Sequence, residues 1–298
     1  MSFRGGLKTV VVATDLHGEA EAALEYAGKL AGAYGARIVL AHGLDPLEYA
    51  AIDDVPEQVL DELSQQARNV LAKLSGDLLA EGIRSHSEIR QGDVVQTLVD
   101  VARDYQAGLI VLGSKGREGA GPVLVGAITE RLVRTAPCPV LAVSADWNAG
   151  PYRPTPGGPV LLAIERNEAA SEAARTAYSL AETFHRHLLI LHVRTPAEAT
   201  AFLNPCSTRI EDYGIRSGGS VVVDCIVKDG HTANAILETV TQRHPSILVI
   251  GVKRTSHTPG PHGTAFTLLA GSRVPVLCVP PPPESQRAQQ EEVVAVEM

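Results

Sequence analysis

The sequence predicts an α/β protein made of two tandem, doubly wound domains, each with a five-stranded parallel sheet. Three observations support this prediction. The chain has 298 residues, enough for two domains of about 150 residues each. Its second half repeats the pattern of the first, and each half alternates continuous apolar segments with amphipathic ones. Continuous apolar segments are typical of strands that are covered on both faces of a parallel sheet.

The internal repeat is visible in residue type and in spacing. At the first strand, both copies have an apolar run that ends in a carboxylate, and the offset later falls because the second copy has lost about a dozen residues. The aligned pairs are 10–15 with 160–165 at an offset of 150, Gly92 with Gly230 and 109–113 with 247–251 at 138, and 139–143 with 275–279 at 136.

Five strands and the helices between them are predicted in the first copy. The strands are expected at 8–14, 37–43, 84–90, 108–113 and 139–143. Helical periodicity is found at 20–31, 59–79 and 94–102. Ligands of such sheets bind beyond the carboxyl ends of the strands, where the strand order reverses. We therefore expect the functional site in that crevice.

Composition divides the chain into four segments. A first domain is expected at 1–146 and a second at 159–280. The segment 147–158 is dense in Pro and Gly and is predicted to be an exposed linker. The tail, 281–298, begins in a run of prolines and continues with polar residues, so we expect it to be disordered.

Charge and cysteine usage exclude several classes of partner. The formal net charge is −8, so there is no basic surplus to neutralise the phosphates of a nucleic acid. No stretch reaches the ~18 uninterrupted apolar residues that a membrane-spanning helix needs. Four cysteines without a C-x-x-C spacing, and an N-terminus without a long apolar run, indicate a reduced, cytoplasmic protein. Small ligands and other proteins remain as partners.

A glycine-rich segment joins the fourth predicted strand to a helix. Gly113 ends the strand, Gly116 follows three residues later, and Gly126 precedes the helical segment 128–134. Glycines let backbone N–H groups approach an anion closely, and a helix N-terminus adds unpaired donors and the positive end of its dipole. The segment is therefore predicted to cradle phosphate, although it matches neither the P-loop nor the dinucleotide-binding motif.

The sequence resembles the universal stress protein family, whose nucleotide-binding members have G-x2-G-x9-G followed by Ser or Thr in this segment. Gly113, Gly116 and Gly126 have that spacing. The resemblance extends to 12–15, to the strand end at 41–42, to 135–143 and to the doubled arrangement of tandem members. It implies a Rossmann-like fold of the adenine nucleotide alpha hydrolase type and a role in the stress response.

The resemblance also implies a role for individual residues. Thr14 and Asp15 would lie at the nucleotide, with Asp15 in contact with the sugar or the adenine. Gly43 would present backbone groups to the adenine, and the three loop glycines would wrap the ribose and phosphates. The ligand would be ATP or AMP, with or without Mg²⁺, and cAMP is a further candidate.

One residue departs from the family pattern: Ala127 stands where the family has a hydroxyl. Losing a hydrogen bond to a charged acceptor costs ~1.5–3 kcal/mol, so we expect weakened ATP binding. Ser114, Lys115 and Arg117, in the same loop, are placed to supply the missing donor or a countercharge.

The second copy departs further from the nucleotide-binding pattern. Arg254 stands at the position of Gly116, and Gly126 aligns with His262, Gly263 or Thr264, depending on where a short deletion falls. A guanidinium in place of a glycine would fill the phosphate space. We interpret the second domain as a degenerate copy that is structural or binds something else.

Several candidate residues have simpler interpretations. A helix cap is preferred for Glu165, whereas the neighbouring glycine loop favours ligand contact for Asp15. His42 and His192, at equivalent strand ends, are interpreted as structural, since neither has a nucleophile at a motif spacing. His257 and His262 lack nearby ligands for a metal, and Cys138, between two prolines, is interpreted as a structural thiol.

The sequence leaves three functions to compare. The leading hypothesis is a regulatory protein that binds one adenine nucleotide in its first domain. A weak ATPase or self-phosphorylating enzyme is the second, and a nucleotide-free interaction protein, favoured by Ala127, is the third. The apolar last strands, Val140–Val143 and Val276–Val279, are sheet edges that invite pairing. They could pair within one chain as in a homodimer, and two chains could dimerise in turn.

Overall fold

The computed structural model describes residues 6–16, 19–46, 57–114, 126–148, 157–165, 167–194, 220–253 and 263–282. Its first half contains β1 (Thr9–Ala13), α1 (Glu19–Tyr34), β2 (Arg37–Leu44), α2 (Glu57–Ala80), β3 (Ser85–Gln91), α3 (Val94–Asp104), β4 (Leu109–Gly113), α4 (Ala127–Thr135) and β5 (Val140–Val143). The second half contains β6 (Val160–Ala163), α5 (Ala170–Thr183), β7 (Leu188–Arg194), β8 (Val223–Asp229), α6 (Thr232–Arg243), β9 (Ile247–Gly251), α7 (Thr264–Gly271) and β10 (Val276–Val279).

Each half is a parallel five-stranded unit, as the sequence predicts. The strand order is β3-β2-β1-β4-β5 in the first half and β8-β7-β6-β9-β10 in the second. Central strands are apolar because helices cover both faces, and every residue of β5 and of β10 is buried. The outermost strands, β3 and β8, have no buried residue, which suits their position at the edges.

The repeat alone suggests two separate sheets, but the two units form one continuous sheet. β5 and β10 pair in antiparallel register, Leu141 opposite Leu277, and join the halves into one ten-stranded sheet. The expectation of two separate sheets is therefore wrong, and the alternative of pairing within one chain is confirmed. The physical reason is that an apolar strand left at an edge would expose both side chains and unpaired backbone groups.

Both faces of the sheet have a hydrophobic core that continues across the junction. One core combines Leu132 of α4 with Leu268 of α7, and the other combines Leu141 with Leu277. On the second face, the hydroxyl of Tyr34 in α1 donates a hydrogen bond to the carbonyl oxygen of Ser179 in α5 at 3.4 Å. The halves therefore share their packing rather than touching at a polar interface.

The chain leaves the first half through a short 3-10 helix, Ala145–Asn148. Trp147 is 6% exposed, so the prediction of an exposed linker is wrong at this residue. Its ring packs edge-on against Tyr26 at a centroid distance of 5.1 Å, and the ammonium of Lys29 lies 4.6 Å from the ring centroid. Residues 149–156 of the predicted linker, and the tail from 283, lie outside the described residues. Within the described ranges, no helix has the length and apolar character needed to span a membrane.

Because the two halves share their cores, shortening one side chain at the β5–β10 junction should destabilise both halves together. Leu141→Ala should lower the free energy of unfolding of the whole chain by about 2–5 kcal/mol, because the side chain is fully buried and its removal leaves a cavity. Leu79→Ala, at a position that is 67% exposed, is the control and should change little. Urea unfolding followed by circular dichroism measures both. Two separate transitions, of which only one shifts, would contradict a shared core.

Candidate functional site

The predicted binding residues of the first half lie at one edge of the sheet. Thr14 and Asp15 follow β1, Gly43 lies near the end of β2, and Gly113 ends β4. These three strands are neighbours and parallel, so their carboxyl ends meet at the same edge. Strand order reverses between β1 and β4, which is where ligands of such sheets bind. The predicted residues Lys115, Gly116 and Arg117 lie outside the described residues.

The end of β1 is a tight turn that projects Asp15 to solvent. The backbone amide of Thr14 donates a hydrogen bond to the carbonyl oxygen of Ala41 at 3.0 Å. The Thr14 hydroxyl accepts a hydrogen bond from the backbone amide of Leu16, also at 3.0 Å. Leu16 has a positive φ of 64°, which is uncommon for a residue with a side chain. Thr14 is buried, and its hydrogen bonds shape the turn. Asp15 is exposed at the edge of the sheet.

The two strand-end histidines brace the same turn in both halves. His42 donates from Nδ1 to the carbonyl oxygen of Thr14 at 2.8 Å, and His192 donates to that of Ile164 at 3.3 Å. Each histidine thus links its strand end to the turn that follows the neighbouring strand. These contacts agree with the structural interpretation of both residues.

Gly43 is required by packing, whatever it contributes to a ligand. A Cβ at this position would lie 3.0 Å from Cα of Val94 and 3.2 Å from its Cγ2. Because backbone cannot move aside easily, a larger residue would push α3 away from β2. Gly43 therefore has a packing role, close contact with Val94, that the sequence alone did not reveal.

The segment around β4 and α4 combines a fixed strand end with the N-terminus of a helix. The backbone amide of Ser114 donates a hydrogen bond to the carbonyl oxygen of Val143 at 2.9 Å. The hydroxyl of Thr129 donates a hydrogen bond to the carbonyl oxygen of Gly113 at 3.4 Å. Gly126 is the N-cap of α4 and supplies no side-chain hydrogen bond to the helix. Ala127, the first residue of α4, has no hydroxyl to add. The first amides of α4 are consequently suited to an anion, since a helix N-terminus leaves such donors unpaired and concentrates positive potential.

An ion pair missed by the sequence analysis joins α3 and α4 at this edge. Arg131 donates two hydrogen bonds to Asp93, at 2.7 and 3.0 Å, and Asp93 also accepts from the amide of Gln96 at 2.8 Å as the N-cap of α3. The hydrogen-bonded guanidinium of Arg131 is the main reason why the pKa of Asp93 lies below its ordinary value. Asp93 follows a glycine and precedes an apolar helix, so its capping role could have been recognised from the sequence. Its partner, 38 positions away, could not.

The equivalent edge of the second half encloses a cavity of about 610 Å³, which we call the second-half cleft. Its polar lining includes Glu165, His192, Lys253 and Thr264, and the first half contributes Arg134. Gly263 is the N-cap of α7 as Gly126 is of α4. The structural match of Gly126 is therefore Gly263, and the hydroxyl missing at Ala127 is present at Thr264.

Other candidate groups of the sequence analysis fall into three classes. Arg254, His257 and His262 lie outside the described residues. In the described part of the chain, no three His, Cys, Asp or Glu side chains are grouped to hold a metal ion. Cys138 is buried, and desolvation raises the pKa of its thiol to about 12, so it is an inert structural thiol as predicted.

Comparison with known proteins identifies relatives of both halves. Residues 6–144 and 158–280 match the model of the universal stress protein family. A universal stress protein of Mycolicibacterium smegmatis is 29% identical over 192 residues, which are 62% of this chain and 63% of that protein. The chain thus matches less than two thirds of this relative's length. A universal stress protein of Thermus aquaticus is 29% identical over 137 residues, 46% of this chain and 98% of that protein.

A solved structure shows the same tandem fold. The crystal structure of a universal stress protein from Archaeoglobus fulgidus superposes with a TM-score of 0.74 at 20% identity, and the match covers 91% of this chain and 98% of that one. At this identity the comparison supports the fold alone.

The Asp93–Arg131 pair predicts a loss of stability that depends on pH. Asp93→Ala should lower the free energy of unfolding by about 1–2 kcal/mol at pH 7, since it removes both the helix cap and the ion pair. Asp93→Asn keeps a capping side chain and should cost less than about 1 kcal/mol, because both partners are partly exposed. Urea unfolding measures both variants.

The sign of the pH dependence follows from the lowered pKa of Asp93 in the folded protein. The charge of Asp93 stabilises the fold above the carboxyl pKa of the unfolded chain, and this contribution disappears as the pH falls through the folded value. The difference between wild type and Asp93→Asn should therefore shrink below about pH 4. A difference that is constant down to pH 2 would contradict the role assigned to the charge.

Proposed function

Because the chain belongs to the universal stress protein family, we propose that it is a stress-response regulatory protein that binds one adenine nucleotide, ATP or AMP, in its first half. Nucleotide binding is typical of the family. The observation that supports the proposal most directly is the N-terminus of α4. It begins at Gly126 without a side-chain cap and lies at the carboxyl edge where β1 and β4 part.

The residues at this edge suit the parts of a nucleotide. Asp15 is exposed beside the strand ends and is proposed to accept hydrogen bonds from the ribose hydroxyls or the adenine amino group. The backbone around Gly43 is proposed to face the adenine. Gly113, Gly116 and Gly126 are proposed to surround the ribose and phosphates, where bulkier residues would block the backbone donors.

The phosphate end lacks one hydroxyl, and other donors are proposed to compensate. Ser114, Lys115 and Arg117 belong to the same loop as the glycines. A lysine and an arginine supply countercharge to a triphosphate, and Mg²⁺, where it accompanies the nucleotide, would reduce the same repulsion. The first amides of α4 fit a phosphate oxygen by charge and by hydrogen-bonding capacity.

Regulation by binding is favoured over catalysis. The chain has no P-loop lysine and none of the kinase motifs that position metal ions for phosphoryl transfer. A weak ATPase is separated from a binding protein by measuring turnover with and without Mg²⁺. A nucleotide-free interaction protein is separated from both by mass spectrometry of whatever the purified protein releases on denaturation.

The proposal predicts one adenine nucleotide per chain. Equilibrium titration of the full chain should saturate at one equivalent, and Gly116→Arg should abolish binding because its side chain would enter the phosphate space. Arg254→Gly, at the matching position of the second half, should leave the affinity unchanged. Two nucleotides per chain, or binding that survives Gly116→Arg and is lost in Arg254→Gly, would overturn the assignment.

Restoring the missing hydroxyl should tighten binding. Ala127→Ser is expected to strengthen ATP binding by up to ~1.5–3 kcal/mol, at most roughly ten- to a hundred-fold, because the hydroxyl adds a hydrogen bond to a charged acceptor at the start of α4. Thr264→Ala removes the equivalent hydroxyl from the second half and should leave ATP affinity as it is. Calorimetry measures both. An unchanged affinity in Ala127→Ser would mean that the phosphates are bound elsewhere or are already satisfied.

A further inference from the structure

We propose that the second-half cleft binds a small organic anion with an apolar or aromatic body, and that Arg134 of the first half binds its anionic group. The proposed nucleotide site is in the first half, so this second site goes beyond it. It also gives the second half a function of its own.

The size and position of the cleft are those of a ligand site. Its volume of about 610 Å³ lies within the range of roughly 300–1,000 Å³ that is typical of small-molecule sites. It opens at the carboxyl ends of β6, β7 and β9, the edge where parallel sheets bind ligands. α6 and α7 form further walls, and α4 of the first half reaches it with its last turn.

Somewhat more than half of the cleft's lining surface is apolar. Side chains from three different helices contribute Val133, Ile236, Phe266 and Leu268, and Val252 continues from β9. Such walls favour a hydrocarbon or aromatic group over water. A ligand of this cleft therefore needs an apolar body that covers them.

The charges that line the cleft favour an anion. Among the lining residues the structure describes, Arg134 and Lys253 are cations and Glu165 is the carboxylate. Lys253 and Glu165 form an ion pair at 3.2 Å with side chains that are 54% and 70% exposed. An exposed pair of this kind contributes little, so Lys253 is free to turn towards a bound anion at small cost.

Arg134 is held in a geometry suited to recognition. Its guanidinium carbon lies 4.9 Å from the centroid of the Phe266 ring, and one terminal nitrogen donates to Glu130 at 3.0 Å. The side chain is 20% exposed, and a charge with so little contact with water interacts more strongly with a partner. Guanidinium groups bind carboxylates and phosphates through two parallel hydrogen bonds. Arg134 is thus placed to orient an anion beside an aromatic surface.

The cleft lacks the features that the nucleotide pattern requires. Glu165 replaces Asp15 and is engaged by Lys253, Val193 replaces Gly43, and Arg254 replaces Gly116. Val193 lines the cleft with an isopropyl group, where the first half has only a glycine. These replacements disfavour an adenine nucleotide and leave an apolar pocket with cations, which suits a smaller aromatic or aliphatic anion.

Calorimetric titration of the full chain with phenyl phosphate and with benzoate tests the proposal. At least one of the two anions should bind, and benzyl alcohol, which has the ring without the charge, should bind about tenfold or more weakly. Arg134→Gln should weaken binding of the anion about ten- to a hundred-fold, because a hydrogen bond to a charged group is lost. If neither anion binds to the wild-type chain, the proposal is wrong.

A matched variant separates recognition from a structural role of the ion pair. Glu130→Gln breaks the same pair but leaves the guanidinium, so it should keep or tighten anion binding. If Glu130→Gln weakens binding as much as Arg134→Gln, the pair is merely structural and the proposal fails. Thr232→Phe fills the cleft from a partly exposed position at the start of α6 and should abolish binding even if Arg134→Gln does not fold.

Gly116→Arg distinguishes anion binding in the second-half cleft from anion binding in the first half. This variant should bind the anion as the wild type does, whether or not the proposed nucleotide site exists, since it changes only the first half. Loss of anion binding in Gly116→Arg would show that the probe occupies the first half, which would overturn the proposal. ATP titration of the same variant reports on the nucleotide proposal independently.

Discussion

The antiparallel pairing of β5 with β10 is the contact on which the rest of this structure depends. It is short, with Val140, Leu141 and Ala142 opposite Cys278, Leu277 and Val276. All of these side chains are buried. Pairing removes the apolar edge from both parallel sheets at once, and it leaves the polar strands β3 and β8 as the outer edges. One ten-stranded sheet with two shared cores is the result.

This junction also determines which helices meet. On one face, α1 and α5 contact each other through Tyr34, whose ring packs edge-on against Phe184 at 6.3 Å. On the other face, α4 and α7 meet where Arg134 covers Phe266. α4 therefore begins at the candidate nucleotide site of the first half and ends in the cleft of the second. The second-half cleft is a product of the junction, because neither half alone contains all of its walls.

The two halves retain the same backbone devices and differ in the side chains at the carboxyl edge. Gly92 and Gly230 have the same φ of 127° after the third strand of each half, a conformation that favours glycine. The strand-end histidines make the same contact in both. Asp15, Gly43 and Ala127, by contrast, are matched by Glu165, Val193 and Thr264. The scaffold is the same in both halves, while the side chains at the carboxyl edge differ.

The sequence by itself determined the local structure of this protein and the place of its candidate site. The five strands predicted in the first half coincide with β1–β5 to within one residue at each end, because continuous apolar segments and helical periodicity are local properties of the chain. The glycine spacing likewise marked the segment between β4 and α4 as the candidate phosphate site, since a glycine's conformational freedom is a property of the residue itself.

Only the tertiary structure decided which distant residues meet. An apolar edge strand needs some partner, but nothing in 140–143 specifies 276–279 rather than another chain. The packing of Val94 against Gly43, the burial of Trp147 and the pairing of Asp93 with Arg131 are further cases. The second-half cleft is the clearest one, because Arg134 and Phe266 belong to different repeats. These contacts depend on how two complete halves pack together, and residue patterns along one segment do not contain that information.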